Sequence, residues 1–199
     1  MRDDSPILTT ITAARAEGLS DREIDERVWE LHGKNCAMLA LDSSGMTRTT
    51  RSLGIVHFLD RYWQMREVAE PILEASACLG WRSFADNLFA EFQEADAALA
   101  TALAIHRALR DRGLMLTASE PYRVCIGVGY GRVLANGAAG VMGDEMNLVA
   151  KLAEDIAEAG ETLVTSSAYA SLKQPVGVPV ERLQRTISKV AVDYFRVVV

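Results

Sequence analysis

The sequence lacks three features that would each indicate a particular class of protein. Its three cysteines, Cys36, Cys78 and Cys125, are far apart and form no CxxC pair, which favours reduced core thiols over a disulfide framework. Lys and Arg number 21 against 27 Asp and Glu, so the chain has no basic excess with which to neutralise nucleic-acid phosphates. No apolar run approaches the roughly 18 residues of a membrane span. We therefore expect a protein of a reducing compartment that binds neither nucleic acid nor membrane.

The amino terminus and the composition narrow the class further. The first four residues, Met1 to Asp4, include two acids where a secretion signal needs a basic end. In a chain of 199 residues, 49% apolar and 24% charged residues are ordinary for a folded domain and exclude disordered, collagen-like and coiled-coil chains. This length suits one domain of about 150 residues with an appendage. We predict a cytoplasmic protein.

Residues 1–35 are predicted to be a helical extension that precedes the main domain. Ser20 and Glu23 form a capping-box pattern at the start of a helix, and Gly33 is placed to end it. The apolar stripe of this helix consists of Ile24, Val28 and Leu31. This stripe must pack on the main domain or on a second copy of the chain, and the sequence leaves both open.

Residues 36–199 alternate between strand-like and helix-like patterns. Strands are predicted from Cys36 to about Asp42, at 78–84 and 87–92, as a glycine-rich pair at 122–131 and 132–134, at 162–165, and as a carboxyl-terminal pair that ends at 190–199. Helices are predicted from Ile55 with a break or restart at Pro71, over 94–111, over 144–159 with Gly160 as the stop, and near 167–172. This order predicts an α/β (α+β) sandwich whose helices cover one face of the sheet.

Two acids, Asp42 and Asp86, lie where predicted strands end or meet. The helix between them returns the chain to the sheet, so the two strand ends can lie side by side. Carboxylates that are brought together repel each other, and a divalent cation relieves that repulsion. The alternative is that each acid caps a turn or a helix, and spacing alone does not decide between the two.

Four sequence blocks stand in order over roughly residues 36–173, at 38–47, 84–92, 126–133 and 143–152. Together they resemble the catalytic domain of the class III adenylate and guanylate cyclases. The first two blocks, 38–47 and 84–92, resemble the family's two metal-binding segments, with Ala85 where the family usually has glycine. The block at 126–133 is similar to the glycine-rich strand pair of the family, and the block at 143–152 is similar to its Asn-containing helix.

The resemblance implies a ferredoxin-like palm fold and a head-to-tail homodimer with active sites in the interface. It also implies that Asp42 and Asp86 hold two metal ions, Mg²⁺ or Mn²⁺, for attack of the ribose 3′-hydroxyl on the α-phosphorus with loss of pyrophosphate. The backbone of the turn would then bind phosphate oxygens through its N–H groups. That turn comprises Ser43, Ser44, Gly45, Met46 and Thr47.

The remaining site residues implied by the resemblance differ from the family's usual ones. Asn147 of the partner subunit would orient the ribose. Lys151 stands where the family usually has the transition-state arginine. The lysine keeps the positive charge but lacks the planar guanidinium that can bind two oxygens at once. Arg82 and Gly140 stand at the two base-reading positions, where adenylate-selective members have lysine and aspartate. ATP is the expected substrate because it is the commonest in the family, and guanine and pyrimidine nucleotides stay open.

Two alternatives remain beside a homodimeric cyclase that forms a 3′,5′-cyclic nucleotide, with cAMP as the expected product. The simultaneous changes at Arg82, Gly140 and Lys151 are also expected of a non-catalytic cyclase-homology module that binds a nucleotide or serves in dimerisation. A third possibility is one half of a heterodimer, in which another cyclase chain supplies the missing groups. On this basis we divide the chain into an extension, 1–35, and a cyclase-homology domain, 36–199.

Overall fold

Two helices open the described part of the chain, which in this computed structural model comprises residues 5–173, 177–187 and 190–198. The expectations drawn from Met1 to Asp4 and from Val199 lie outside these residues. The helices are α1 (Pro6–Ala16), α2 (Asp21–His32), α3 (Met46–Leu53), α4 (Ile55–Ala75), α5 (Ala95–Arg112), α6 (Asp144–Lys151) and α7 (Ser166–Ser171). The strands are β1 (Gly33–Ser43), β2 (Cys78–Phe84), β3 (Asn87–Phe92), β4 (Val124–Ala135), β5 (Val141–Met142), β6 (Thr162–Thr165), β7 (Val180–Ile187) and β8 (Val190–Val197).

The strands within the described residues form one sheet in the order β2-β3-β1-β4-β6-β8-β7, with β5 paired to β4. Neighbouring strands are antiparallel except β4 and β6, which are parallel. Strands β1 and β4 pair along their length, from Gly33 opposite Leu134 to Ser43 opposite Val124. The end of β1 therefore lies beside the start of β4, in a mostly antiparallel sheet covered by helices. This confirms the predicted fold class.

The predicted β2–β3 hairpin is confirmed, whereas the predicted strand pair at 122–131 and 132–134 is wrong. Strand β4 is continuous, because its hydrogen bonding to β1 leaves no room for a turn. Its glycines serve close packing instead. A Cβ atom added at Gly127 would lie 2.3 Å from the carbonyl oxygen of Val149, and one at Gly129 would lie 2.2 Å from Cγ2 of the same residue. Helix α6 can thus approach the sheet at a distance that a side chain would forbid.

Helices cover both faces of the sheet, so the expectation of one covered face is wrong. On one face, alternate β1 residues such as Leu39 pack in a core with α4, α5 and α7. On the other face, Met38 packs with Met146 and Val149 of α6. Strand β1 is consequently buried on both sides, which explains its unbroken apolar run. It also begins earlier than predicted, at Gly33 instead of Cys36, because residues 33–35 still pair with β4.

Two predicted helix ends also differ from the structure. Helix α4 continues through Pro71 to Ala75 instead of breaking there. Proline removes one helical hydrogen bond, but the buried face of α4, which includes Met65, Ala69 and Leu73 at 0% exposure, holds the helix together. The helix that starts with α6 does not run to Ala159. It widens into a π-helical turn at Leu152–Ile156 and then becomes extended at Ala157.

The amino-terminal helices pack on the main sheet through their own small core. Its apolar residues are Ile7, Ala14, Ile24 and Val28, with Leu134 of β4 packed against them. The capping box of α2 is present as predicted, with Ser20 and Glu23 bonded to each other's backbone. Ser5 has two partners: its Oγ accepts from the N–H of Leu8 at 3.2 Å and donates to Oδ1 of Asn136 at 2.6 Å. Because both Ser5 and Asn136 are buried, the start of α1 is tied to the loop that follows β4.

His106 on α5 gives the fold a specific acid sensitivity. It is buried, its Nε2 lies 3.0 Å from Oγ1 of Thr162, and burial lowers its pKa to about 4. Since the folded pKa lies below the ordinary value of 6.5, the contribution of His106 to stability is complete above pH 6.5 and is lost as the pH falls towards 4. We expect His106→Gln to remove about 3 kcal/mol of the pH dependence in this window. Urea unfolding of the wild type and the variant at pH 7.5 and pH 4.5 measures this difference. An equal loss of unfolding free energy between the two pH values in both proteins would contradict the prediction.

Candidate active site

Asp42 and Asp86 come together at one end of the sheet, as the sequence predicts. Asp42 lies next to the end of β1, and Asp86 lies in the two-residue turn between β2 and β3. Ser43 ties the two segments together, because its Oγ donates to the backbone oxygen of Asp86 at 3.2 Å. The Tyr122 hydroxyl in turn donates to Oγ of Ser43 at 2.7 Å. Ala85 has a φ of 53°, a left-handed conformation that costs a non-glycine residue about 1 kcal/mol.

The electrostatics of this end of the sheet favour a positive ligand. Burial raises the pKa of Asp42 to about 7, with further contributions from the negative charges of Asp86 and Glu154. Burial also raises the pKa of Asp86, and burial together with Asp155 and Asp86 raises the pKa of Glu154. Several carboxyl groups that share one partly dry site destabilise one another's ionised forms. A divalent cation between them would remove that cost.

The donor set fits a metal ion that is completed by a substrate. In the described ranges, no group of three or more His, Cys, Asp or Glu side chains is arranged to hold a metal ion. Asp42 and Asp86 are a pair, and Mg²⁺ is commonly held by one or two carboxylates together with waters and substrate phosphates. Asn87 adds a further oxygen: its Nδ2 donates to Glu154 at 3.0 Å, while its buried Oδ1 has no hydrogen-bond partner among the described residues. The chemistry of these oxygens suits a hard divalent cation.

The turn after β1 offers backbone donors, though fewer than the sequence predicts. The N–H of Ser44 already donates to the backbone oxygen of Arg123 at 3.1 Å, and the N–H of Ser43 faces the carboxylate of Asp42. Gly45 precedes α3 with a φ of 90°, and the first amide bonded within the helix is that of Thr49. The amides of Met46, Thr47 and Arg48 form the first turn of this helix, where N–H groups have no helical partner and attract anions.

The two predicted base-reading residues, Arg82 and Gly140, lie against each other within one chain. A Cβ atom added at Gly140 would lie 1.7 Å from Nη1 of Arg82. The guanidinium therefore occupies the space that a side chain at position 140 would need. Glu91 pairs with Arg82 at 3.5 Å, and the Phe89 ring lies 5.2 Å from its guanidinium carbon. Burial lowers the pKa of Arg82, which still remains a cation.

The structure does not bring Asn147 to the two aspartates. Asn147 is exposed on α6, and none of the described residues receives a hydrogen bond from its side chain. Lys151 is half-buried one helical turn further along and lies close enough to Glu154 to lower the pKa of that carboxyl group. The two predicted catalytic side chains therefore share one helix, and Lys151 lies near Glu154.

Sequence reasoning missed several residues that shape the site, among them Asn87, Tyr122 and three acids. Glu154 and Asp155 add negative charge beside Asp42 and Asp86, because the π-helical turn places them there. Their signal in the sequence is a pair of acids directly after the Asn-containing block, but a regular helix would have rotated them differently. Glu91 was missed because the alternation of apolar and polar residues along β3 marks position 91 as polar but does not show that Arg82 is its partner.

The sequence matches no protein-family model and no curated protein. Solved structures of cyclases nevertheless share the fold. An adenylate/guanylate cyclase/hydrolase from Silicibacter pomeroyi is 25% identical, with a TM-score of 0.71 over 83% of this chain and 97% of the other. The catalytic core of a rhodopsin-guanylyl cyclase with converted specificity, in complex with ATPαS, is 16% identical, with a TM-score of 0.70 over 83% and 98% of the two chains.

A third solved structure has the same fold at still lower identity. The non-canonical dimeric guanylyl cyclase domain of the RhoGC fusion protein from Blastocladiella emersonii is 13% identical, with a TM-score of 0.69 over 83% of this chain and 97% of the other. Conservation of the whole architecture at such identities shows a shared fold. The chain has the fold of the class III adenylate and guanylate cyclase catalytic domain.

Proposed function

We propose that this chain is a nucleotidyl cyclase, which forms a 3′,5′-cyclic nucleotide and pyrophosphate from a nucleoside triphosphate. The observation that carries the proposal is the pair of carboxylates, Asp42 and Asp86, gathered at one end of the sheet of a cyclase fold. Burial and the neighbouring acids raise the pKa of Asp42 to about 7, so ionising this carboxyl group costs the folded protein free energy. A bound cation would offset that cost. Sites kept at such a cost are candidates for function.

Asp42 and Asp86 would hold the two divalent ions, Mg²⁺ or Mn²⁺. Such ions, when bound, neutralise the triphosphate and lower the pKa of the ribose 3′-hydroxyl. The Tyr122–Ser43–Asp86 hydrogen bonds fix the relative position of the two strand ends before any ligand arrives. This preorganisation lowers the cost of aligning the reacting atoms.

The amides at the start of α3 would bind the triphosphate. These donors are Met46, Thr47 and Arg48, which follow the left-handed Gly45. They lie directly after β1, which carries Asp42, so a phosphate bound by them is adjacent to the carboxylates. Such N–H groups add to the charge that stabilises the transferring phosphoryl group.

Asn147 and Lys151 would act on the site of a second subunit, with Asn147 orienting the ribose and Lys151 stabilising negative charge. The exposure of Asn147 is compatible with a contact that one chain alone does not make. One of the structurally similar cyclase domains is described as a dimer, which supports the same proposal here. Lysine presents a single point charge in place of a two-pronged guanidinium, so we expect slow catalysis, about 10² to 10³ below an arginine enzyme.

The residues at the two base-reading positions bear on which nucleotide is the substrate. ATP is the expected substrate on the family resemblance, with cAMP as its product. Gly140 has no side chain for the adenine amino group, and Arg82 offers only donors. Bases that present carbonyl oxygens suit those donors, so guanine and pyrimidine nucleotides belong in the same test.

A non-catalytic nucleotide-binding or dimerisation module, or one half of a heterodimer, is the second candidate. Both forms of this candidate are favoured by the contact between Arg82 and Gly140, in which the guanidinium fills the space beside the glycine. Neither of the family's usual base-reading groups is then present. Metal-dependent nucleotide binding without turnover would support the module. Turnover that appears only when another cyclase chain is added would support the heterodimer.

The test is product analysis by mass spectrometry after incubation of the chain with ATP, GTP, CTP or UTP in Mn²⁺. We expect a cyclic product from at least one nucleotide, and a loss of at least about 10²- to 10³-fold in Asp86→Ala because a metal-binding carboxylate is removed. Asp111→Ala, an exposed acid on α5, is the matched control and should leave the rate unchanged. Absence of all four cyclic products from a folded dimer would contradict catalysis by this chain alone.

We also propose that residues 1–35 form an extension to a cyclase-homology domain at 36–199. The packing of α1 and α2 through a small core supports an extension, whose helices end at His32, while β1 of the main domain already begins at Gly33. The described residues contain no helix that is long and apolar enough to cross a bilayer. Because the proposed substrate is a nucleoside triphosphate and the three cysteines are unpaired, we propose a cytoplasmic location.

A further inference from the structure

A concave site lies beside the end of the sheet that carries the aspartates. It is a cavity of about 660 Å³ between the carboxyl-terminal end of α5, the start of β4 and the end of β8. This volume falls within the range of small-molecule pockets, about 300 to 1,000 Å³. Asp42, Asp86, Arg82 and Gly140 are not among the residues that line it.

Much of the cavity wall is apolar. Leu109, Leu114 and Val197 are buried and line it. Met115 and Val198, two large apolar residues that are 38% and 49% exposed, line it as well. Apolar surface that a monomer leaves open to a cavity favours a ligand with an apolar body.

The charges around the cavity favour an anion. Three guanidiniums, those of Arg110, Arg123 and Arg196, line it against two carboxylates, those of Glu158 and Glu161. Arg196 and Glu161 already pair with each other at 2.9 Å. Arg110 and Arg123 make no ion pair with any of the described residues.

A further acid close to Arg123 is already engaged. Both carboxylate oxygens of Glu120 accept from Arg48, at 2.6 and 2.7 Å. Glu120 is therefore already paired with Arg48, and the guanidinium N–H groups of Arg123 can donate to another partner. An unengaged guanidinium is a strong donor to a carboxylate or a phosphate group.

The cavity also connects to the candidate active site through one side chain. Tyr122 lines the cavity, and its hydroxyl donates to Ser43, which holds the backbone of Asp86. A smaller cavity of about 180 Å³ shares Arg123 and reaches Ser44. A ligand in the larger cavity would thus contact a residue that helps to position both strand ends.

We propose that this cavity binds a small organic anion with an apolar body, such as a carboxylate, and that Tyr122 links its occupancy to the strand ends that carry Asp42 and Asp86. The binding half of the proposal stands on the cavity alone. The regulatory half rests on the proposed cyclase function.

Binding is tested by calorimetry with straight-chain carboxylates from butanoate to decanoate, and with the alcohols of the same lengths. We expect saturable one-to-one binding of the carboxylates, with affinity that rises up to about fourfold per methylene and then stops rising when the cavity is full. The alcohols should bind at least about tenfold more weakly because they lack the charge.

Variants of the two unpaired arginines decide whether binding occurs in this cavity. The double variant Arg110→Ala/Arg123→Ala should weaken decanoate binding at least about tenfold. The control is Arg107→Ala/Arg112→Ala, which removes two exposed arginines of α5 that do not line the cavity and should leave binding unchanged. Asp86→Ala should also leave it unchanged. Alcohols that bind as well as carboxylates, equal effects of the two double variants, or no saturable binding would each overturn the proposal.

The link to the active site has its own readout. Decanoate should change the rate of cyclic nucleotide formation in the wild type, and Tyr122→Phe should keep the binding but lose that change. Binding of decanoate without any cyclase activity would refute the proposed function and leave the binding half intact. A rate change that persists in Tyr122→Phe would overturn the regulatory half.

Discussion

Replacement of Asp42 by Asn is expected to raise the melting temperature of the metal-free protein while it abolishes cyclic nucleotide formation. The carboxylate of Asp42 is half-buried beside Asp86 and Glu154, so at neutral pH its charge opposes folding. The neutral amide removes that cost, which we place at about 1–2 kcal/mol because solvent still screens part of the side chain. For a chain of this length, this corresponds to a rise of about 3–6 °C. Calorimetry in the presence of a chelator measures it.

The same variant should lose its response to metal ions. Mg²⁺ or Mn²⁺ at 10 mM should raise the melting temperature of the wild type, since a ligand that binds only the folded state stabilises it. Asp42→Asn should show little or no such rise, and its product formation should fall at least about 10²- to 10³-fold. Asp25→Asn, an exposed acid on α2, is the matched control. A variant that melts lower than the wild type without metal would contradict the assigned charge repulsion.

Gly140→Ala is expected to destabilise the protein by about 2–4 kcal/mol, a large effect for a single methyl group. Gly140 has a φ of 82° and a ψ of −136°, a region that glycine alone occupies readily. The new Cβ would also lie 1.7 Å from Nη1 of Arg82, so the guanidinium must leave its place beside Glu91 and Phe89. Chemical denaturation of the wild type and the variant measures the loss.

A double-mutant cycle separates the two causes. In the Arg82→Ala background the collision is absent, so Gly140→Ala should cost only the backbone strain, about 1–3 kcal/mol. Equal costs in the two backgrounds would contradict a collision with Arg82. By the same geometry, Gly140→Asp would place a carboxylate against the guanidinium of Arg82, which must move to admit it.

Local signals explain why some elements were predictable from the sequence. The β2–β3 hairpin was predicted with its turn at Ala85 and Asp86, since two apolar runs flank two residues that cannot continue either strand. The approach of Asp42 and Asp86 followed from the same signals, because a helix that joins two strands of one sheet returns the chain to it. Glycine residues were ambiguous, because a turn and a close helix contact both require a missing side chain. Strand β4 used them for the contact with α6.

Tertiary packing explains the features that the sequence did not reveal. Pro71 signals a helix break locally, but the buried face of α4 outweighs one lost hydrogen bond. The acids Glu154 and Asp155 reach the site only because a π-helical turn changes their direction, and no short pattern predicts that turn. The contact between Arg82 and Gly140 joins positions far apart in the chain, so composition and spacing carry no sign of it.

The bond between Ser5 and Asn136 limits how this protein can be reengineered as a set of modules. Ser5 caps the first helix and also satisfies a buried amide in the loop that leads to Gly140. A chimera that exchanges the amino-terminal helices for those of another protein with this fold would leave Oδ1 of Asn136 without its donor. The loop that carries Gly140, against which Arg82 lies, would lose that support. An exchange that preserves the contact between Arg82 and Gly140 must therefore transplant the helices and this loop together, as one inherited unit.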